Sequence, residues 1–164
     1  MRAFILALLI AAPAYASEDI ADQYPASPLY SKPVEVIPNV WSAIGATAPP
    51  TYENSGHNNN LSFIVTGDGV IVVNGGAAAI LAEALHTEIK AITDQPVKLV
   101  INENGQGHAM LGNSYWADLG VPIVAHADAA HEFDRTAFNI LESMKGYNRD
   151  KAEGTRAQGP TETF

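Results

Sequence analysis

The chain has 164 residues, no cysteine and a formal net charge of −9 at pH 7. The absence of cysteine excludes disulfides and thiolate metal sites, and a length of this order fits a single domain. The acidic balance and the lack of a lysine and arginine cluster exclude nucleic acid as an expected partner, because an acidic surface repels phosphate backbones.

The first residues have the pattern of a secretory signal peptide. Arg2 precedes an apolar run over residues 3–12, and Ala14, Tyr15 and Ala16 form an A-x-A cleavage site. The run is too short to span a bilayer, which needs about 20 residues, so we expect cleavage near Ala16 and no membrane anchor. Residues 1–16 are therefore predicted to send the chain to the periplasm or out of the cell.

The next part of the chain predicts an arm followed by four strands. Residues 17–33 are polar and punctuated by proline, which indicates an extended arm without a role in the core. Alternation in residues 34–44 predicts two short strands, and a polar loop follows up to residue 60. Residues 61–66 and 70–73 then predict a hairpin, with Asp68 and Gly69 as its turn signal.

The second half alternates helices with strands. Apolar residues at helical spacing predict helices over residues 77–92, 113–119 and 128–145. Short apolar runs predict strands over 97–101 and 123–125. This order indicates an α/β fold with a mixed sheet, in which residues 34–146 form the domain. Residues 147–164 form a polar tail without a pattern.

Two loops at the predicted carboxyl ends of strands carry candidate site residues, because ligands collect at that edge of such a sheet. Asn104, Gln106 and His108 alternate with glycines that let the backbone turn tightly, so their side chains can converge. His108 is either a ligand or general base, or a histidine that only bonds loop backbone. His126 is either a ligand, or a helix cap or packing residue. Asn104 and Gln106 either orient a substrate or stabilise the loop.

Other histidines and aromatic residues are weaker candidates. His57 is placed on the rim of the cleft or, by default, in a solvated loop, and Asn74 is also placed at the rim. His86 and His131 are expected on helix surfaces, and Trp41 and Trp116 are expected to be core or packing residues. No Gly-x-Ser-x-Gly elbow, phosphate-binding loop or nucleotide fingerprint is present, so covalent serine catalysis is unsupported.

The order of elements resembles the N-terminal half of the metallo-β-lactamase superfamily, including its SoxH-like and quinoprotein-relay metallohydrolase branch. The matching stretches are residues 36–41, 60–76 and 100–113, and the resemblance covers about residues 34–133. It implies part of an αββα sandwich with helices on one face of a mixed sheet, zinc as the expected cofactor, and a chain that stops about halfway through that fold.

The resemblance also locates the family's first metal ligands, a His-x-His-x-Asp-His motif ahead of a Gly-Asn pair. Anchoring on residues 111–113 places Asn104 and Gln106 at the two leading histidines, His108 at the aspartate and Ala109 at the last histidine. All four ligand positions have therefore changed. The family's later ligands, a Gly-His-Thr type loop, an aspartate and a final histidine, have no counterpart in these 164 residues.

A register shifted by one residue puts His108 on the last histidine but leaves Glu103 and two glycines at the other positions. The family aspartate that ends the preceding strand is Asn74 here. Because neutral amide oxygens are weak ligands for zinc, we expect weak or no zinc binding. Restoring histidine at 104, 106 and 109 and aspartate at 108 is then expected to raise zinc affinity.

Two functions remain open at this point. One is an exported hydrolase-family protein with altered metal ligands that acts on a small molecule through His108, or is truncated and inactive as it stands. The alternative is a non-catalytic periplasmic protein that binds a ligand or a partner through the same cleft. The strands over 70–73, 97–101 and 123–125 are apolar without alternation, which is typical of a sheet covered on both faces. The helices can cover one face. The chain is therefore expected either to be a truncated product or to need a second copy or a protein partner on the other face.

Overall fold

The computed structural model describes residues 24–164, so the predicted signal peptide and the start of the arm lie outside the described residues. Seven strands form one sheet in the order β1-β2-β3-β4-β5-β6-β7. The strands are β1 Val34–Ile37, β2 Val40–Ala43, β3 Leu61–Val65, β4 Val70–Val73, β5 Val97–Asn102, β6 Ile123–Ala125 and β7 Glu162–Thr163. The helices are α1 Ala79–Ile92, α2 Gly107–Met110, α3 Asn113–Asp118 and α4 Ala127–Asn148, and a 3₁₀ turn covers Arg149–Ala152.

The sheet is antiparallel in its first half and parallel in its second. Strands β1 to β4 form a meander, and Asn39 takes a left-handed conformation with φ 66° in the turn between β1 and β2. Strands β4 to β7 are parallel neighbours, and parallel strands need long crossovers, which α1, α2 with α3, and α4 supply. The predicted α/β class with a mixed sheet is confirmed.

The apolar core lies on one face of the sheet. Phe63, Val72 and Val100 project from three neighbouring strands and are fully buried. They pack against the apolar stripe of α1 and against Trp116 of α3. A second buried cluster joins α2 and α4 and includes Ala125 of β6. The prediction that the helices cover one face is confirmed.

The opposite face, which we call the open face, carries two rows of side chains aligned across the strands. The first row joins five partners in register, Ile37, Val40, Ile64, Ile71 and Leu99. The second row runs through Val34, Ser42, Ser62, Val73, Ile101 and Val124 and ends beside Glu162. Nearly all of these side chains are half-buried or exposed, and no helix of the described chain packs over them.

The two ends of the described chain contribute more than the sequence pattern indicated. The expectation that the arm has no core role is wrong, because Leu29 is fully buried in the main cluster and Tyr30 is only 5 % exposed. The polar tail supplies β7, which pairs with β6 at the sheet edge. Among the helices of residues 24–164, none has the length and apolar composition that crossing a bilayer requires.

Candidate functional site

A cleft of about 440 Å³ lies where the carboxyl ends of β4 and β5 meet the loop over residues 50–58 and helix α4. Its polar lining consists of Asn58, His108, Thr136, Asn139, Ser143 and Tyr147. Its apolar lining consists of Pro50, Ala77 and Ile140. The volume falls in the range of about 300–1,000 Å³ that is usual for small-molecule pockets. The sheet edge predicted to collect a ligand therefore does carry a cleft, and His108 lines it.

His108 enters the cleft from the short helix α2, where the sequence pattern predicts a loop. Its Nε2 lies 3.3 Å from Asn104 Nδ2. If the amide donates, Nε2 is an acceptor and the proton resides on Nδ1. Burial lowers the pKa of His108, and the nearby Glu103 carboxylate opposes this only in part. The imidazole is therefore neutral at pH 7 and offers the cleft a hydrogen-bonding group without charge.

Of the three polar side chains that are predicted to converge, only His108 lines the cleft, and Asn104 contacts it. Asn104 Oδ1 accepts a hydrogen bond from the Gln106 backbone N–H at 2.8 Å, so this oxygen is engaged in the turn. Gln106 is exposed, precedes the first residue of α2, and does not line the cleft. Asn104 thus positions His108, whereas Gln106 lies outside the site.

Asn74 directly follows β4. It is buried inside the fold and does not line the cleft. It is 2 % exposed, and its φ of 69° lies in the left-handed region that asparagine tolerates. Its Oδ1 accepts the Glu103 backbone N–H at 3.1 Å, and its Nδ2 donates to Glu103 Oε1 at 2.9 Å. An aspartate at 74 would lose the donor and repel the Glu103 carboxylate, which explains why an amide suits this position.

A buried pair of amides fixes the loop between β5 and α3. Asn102 and Asn113 exchange hydrogen bonds at 3.1 and 2.9 Å, and Asn102 Nδ2 also donates to the Ala109 carbonyl at 2.8 Å. Both asparagines are almost completely buried, so each bond satisfies a group that water cannot reach. These hydrogen bonds between neutral groups therefore fix the backbone of the segment that carries His108.

The residues that the sequence resemblance places at metal positions do not form a zinc site. Among residues 24–164, no group of three or more histidine, aspartate or glutamate side chains comes close enough to hold a metal ion. One imidazole and one engaged amide oxygen are a poor donor set for zinc. Ala109, where the sequence resemblance predicts the last histidine of the motif, is fully buried in the second cluster. Histidine at 109 would therefore overpack the core and destabilise the chain. For this reason, the four-residue restoration would change stability as well as zinc affinity.

His57 lies behind the cleft wall. It is fully buried, so the expectations of a solvated loop or a rim position are wrong, although its neighbours Gly56 and Asn58 line the cleft. Its Nδ1 accepts the Tyr30 backbone N–H at 2.8 Å and so ties the arm to this loop. Its Nε2 has no partner of good geometry in the described part of the chain. Burial lowers the pKa of His57 to about 4, and backbone groups of Ala43 and Asn59 offset this only in part.

The buried His57 predicts a fall in stability with acidification. Between pH 6.5 and about 4 the unfolded chain binds a proton at this residue and the folded chain does not, so the free energy of unfolding falls as the pH falls. The full effect is on the order of 3 kcal/mol. Urea denaturation at several pH values checks this, with His57→Gln losing most of the slope and the exposed His131→Gln keeping it. Equal slopes in both variants would contradict the assignment.

His126 and His86 serve capping and packing, and His131 is exposed on α4. His126 accepts the Asp128 backbone N–H at 3.1 Å through Nδ1 and caps α4, which confirms the capping interpretation. It does not line the cleft. His86 is half-buried and contacts the hydroxyl of Tyr115 at 2.9 Å, so it joins α1 to α3 and is not a purely surface position.

Most of the cleft's polar groups were not found from the sequence. Thr136, Asn139, Ser143 and Tyr147 follow one another at intervals of three or four residues and so occupy one face of α4. In the sequence this face is indistinguishable from a solvated helix surface. Only the long-range approach of the loop over residues 50–58 turns it into a wall of a cleft.

Comparison with known proteins identifies the fold. No family model matches the sequence, and no curated protein matches it. Solved structures match with TM-scores of 0.50 to 0.53: metallo-β-lactamases from Erythrobacter litoralis and Pontibacter korlensis, and FIM-1 from Pseudomonas aeruginosa in its mono-zinc form. Their identities to this chain are 15 %, 22 % and 14 %, over 64 %, 65 % and 64 % of it. The chain spans 45 %, 47 % and 46 % of theirs, a little under half. The chain has part of the metallo-β-lactamase fold.

Proposed function

We propose that this chain uses its part of the metallo-β-lactamase fold to bind a small molecule in the cleft beside His108 without a metal ion. The proposal is supported by two features that occur together at the same edge of the sheet. Hydrogen-bonding side chains from α2, α4 and the loop over residues 50–58 converge on the cleft. The family's leading metal positions hold amides at the same sheet edge.

The cleft has unused hydrogen-bonding capacity. The side chains of Asn58, Asn139 and Ser143 make no hydrogen bond to another described residue. They are half-buried or exposed, so a ligand can reach them. Burial raises the pKa of Tyr147, which keeps its hydroxyl protonated as a donor. Binding pockets commonly combine a few such polar groups with an apolar wall. The alternative, an altered metal hydrolase, needs ligands beyond those that residues 24–164 bring together.

A fragment screen by NMR on the full chain in EDTA-containing buffer tests the proposal. We expect fragments to shift the amide signals of α2 and of the cleft-facing side of α4. Ser143→Trp fills the cleft and should abolish these shifts. Glu142→Trp adds the same side chain at the neighbouring exposed position and should retain them. Shifts that map elsewhere, or that require added zinc, would overturn metal-free binding at this site.

The proposal includes export and a position in the family. The pattern of residues 1–16 supports a signal peptide, and the stretches 36–41, 60–76 and 100–113 support the SoxH-like and quinoprotein-relay branch with a degenerate metal motif. A mature chain that begins at Ser17 in a periplasmic fraction, shown by N-terminal sequencing, would support export. An intact Met1 in the cytosol would oppose it.

We also propose that the open face is an association surface between two copies of this chain. Its first row is entirely aliphatic across five strands, and contiguous apolar surface of this kind is typical of protein–protein contacts. The two rows hold no charged side chain, and Glu162 lies only at the end of the second row. In a chain of net charge −9, this face lets two copies meet without opposing their carboxylates.

Sedimentation of the full chain checks this proposal. We expect a dimer that Ile71→Lys, in the middle of the first row, converts to a monomer, because a lysine there would be buried without a partner. Ile64→Lys on the adjacent strand is a second variant in case the first does not fold. Phe138→Lys, at an exposed position of α4, is the control and should remain dimeric. A wild-type chain that stays monomeric at all concentrations would refute self-association.

A further inference from the structure

We infer that the ligand of the cleft is an uncharged ring compound that carries hydroxyl and amide groups, such as a sugar, and not an anion. This inference rests on the proposed binding function and specifies its ligand class. The first observation that supports it is the absence of charged side chains from the lining of the cleft. None of the side chains that line the cleft is a lysine, arginine, aspartate or glutamate.

The surroundings of the cleft are unfavourable to an anion. His108 is neutral because burial lowers its pKa, and the nearest charge that acts on it is the Glu103 carboxylate. Lys151 is held away from the lining, since its Nζ donates to the Tyr52 carbonyl at 2.6 Å and to Ser55 Oγ at 3.0 Å. An anion would therefore lose part of its hydration without gaining a cation, so the cleft disfavours it.

The uncharged groups of the cleft suit a polyhydroxylated ring. Asn58, Asn139 and Ser143 offer amide and hydroxyl groups that can each donate and accept, as the hydroxyls of a sugar require. Ile140 and the ring of Tyr147 provide an apolar surface against which one face of such a ring can pack. The two kinds of lining together match a ligand with a polar edge and an apolar face.

Three probes that share one ring test the inference by NMR titration of the full chain at pH 6.5. They are N-acetylglucosamine, which is neutral, glucuronate, which is anionic, and glucosamine, which is cationic. We expect N-acetylglucosamine to bind at least about tenfold more tightly than glucuronate, a difference of about 1.4 kcal/mol. It should bind at least as tightly as glucosamine, because the lining holds no carboxylate that could pair with a cation. Its affinity should not change with salt, because no ion pair is formed.

A charge introduced at the site makes the test specific. Asn139→Lys places a cation in the lining and should raise glucuronate affinity about tenfold. Phe138→Lys adds the same charge at a neighbouring exposed position outside the lining and should not. Tighter binding of glucuronate or glucosamine by the wild type, or no gain in Asn139→Lys, would overturn the inference. So would the absence of cleft shifts with all three probes, whereas metal-free binding itself stands or falls on the fragment screen.

Discussion

Replacing Gly112 by alanine is expected to lower the free energy of unfolding by at least about 3 kcal/mol. An alanine Cβ at this position would clash with the Gly75 carbonyl oxygen and lie 2.7 Å from the Gly75 carbonyl carbon. Both atoms belong to backbone, which cannot rotate away. The Gly112 N–H also donates to the Gly76 carbonyl at 2.7 Å, so the two segments cannot separate without losing this bond.

A matched glycine separates this steric effect from the general effect of adding a methyl group. Gly146 lies within α4 and has no neighbour within 4 Å of a Cβ built there. Gly146→Ala is expected to stabilise the protein by about 0.5–1 kcal/mol, because alanine favours the helix and restricts the unfolded chain. Urea denaturation of both variants measures the contrast. A Gly112→Ala variant as stable as the wild type would show that residues 75–76 and 112 are not in contact.

Truncating Trp116 to alanine is expected to cost about 3–5 kcal/mol. The side chain is fully buried in the main core cluster, and its Nε1–H donates to the Gly75 carbonyl at 3.2 Å. The truncation leaves a cavity between α1, α3 and the sheet and removes the hydrogen bond. Trp116→Phe keeps most of the apolar volume, so it should cost less, about 1–3 kcal/mol.

The control for Trp116 is the other tryptophan. Trp41 is half-buried and stacks on Phe63 with ring centroids 6.1 Å apart. Trp41→Ala should therefore cost clearly less than Trp116→Ala, because part of the ring already contacts water. Equal losses in the two alanine variants, measured by urea denaturation, would contradict the burial of Trp116.

The strands and longer helices were predictable because their apolar residues repeat at the period of the element. The two strands interrupted at Pro38 and Asn39, the hairpin around Gly69 and the helix now bounded as α1 were all predicted close to their observed positions. These signals are local. They depend on side chains within a few residues of one another. The apolar face of each strand or helix is then buried when the sheet forms.

The parts that were missed depend on contacts distant in sequence. Leu29 packs in the core, and the adjacent Tyr30 backbone N–H donates to His57, which lies 28 positions after Leu29. Strand β7 has two residues and no apolar alternation, and it forms because β6 offers a free edge. In the same way, Asn139 and Ser143 become site residues only through the loop that faces them. His108, which lines the cleft, was a candidate from the sequence because Gly105 and Gly107 precede it at the carboxyl end of a strand.

The proposed function requires that the cleft binds its ligand without a metal ion. Calorimetric titration of the chelator-treated full chain with zinc at pH 7 tests this directly. We predict no stoichiometric binding tighter than about micromolar, or about 8 kcal/mol, because structural zinc sites reach about 10–16 kcal/mol with full sets of imidazole, thiolate or carboxylate ligands. One zinc ion bound per chain at nanomolar affinity, lost in His108→Ala and kept in the exposed control His131→Ala, would contradict it.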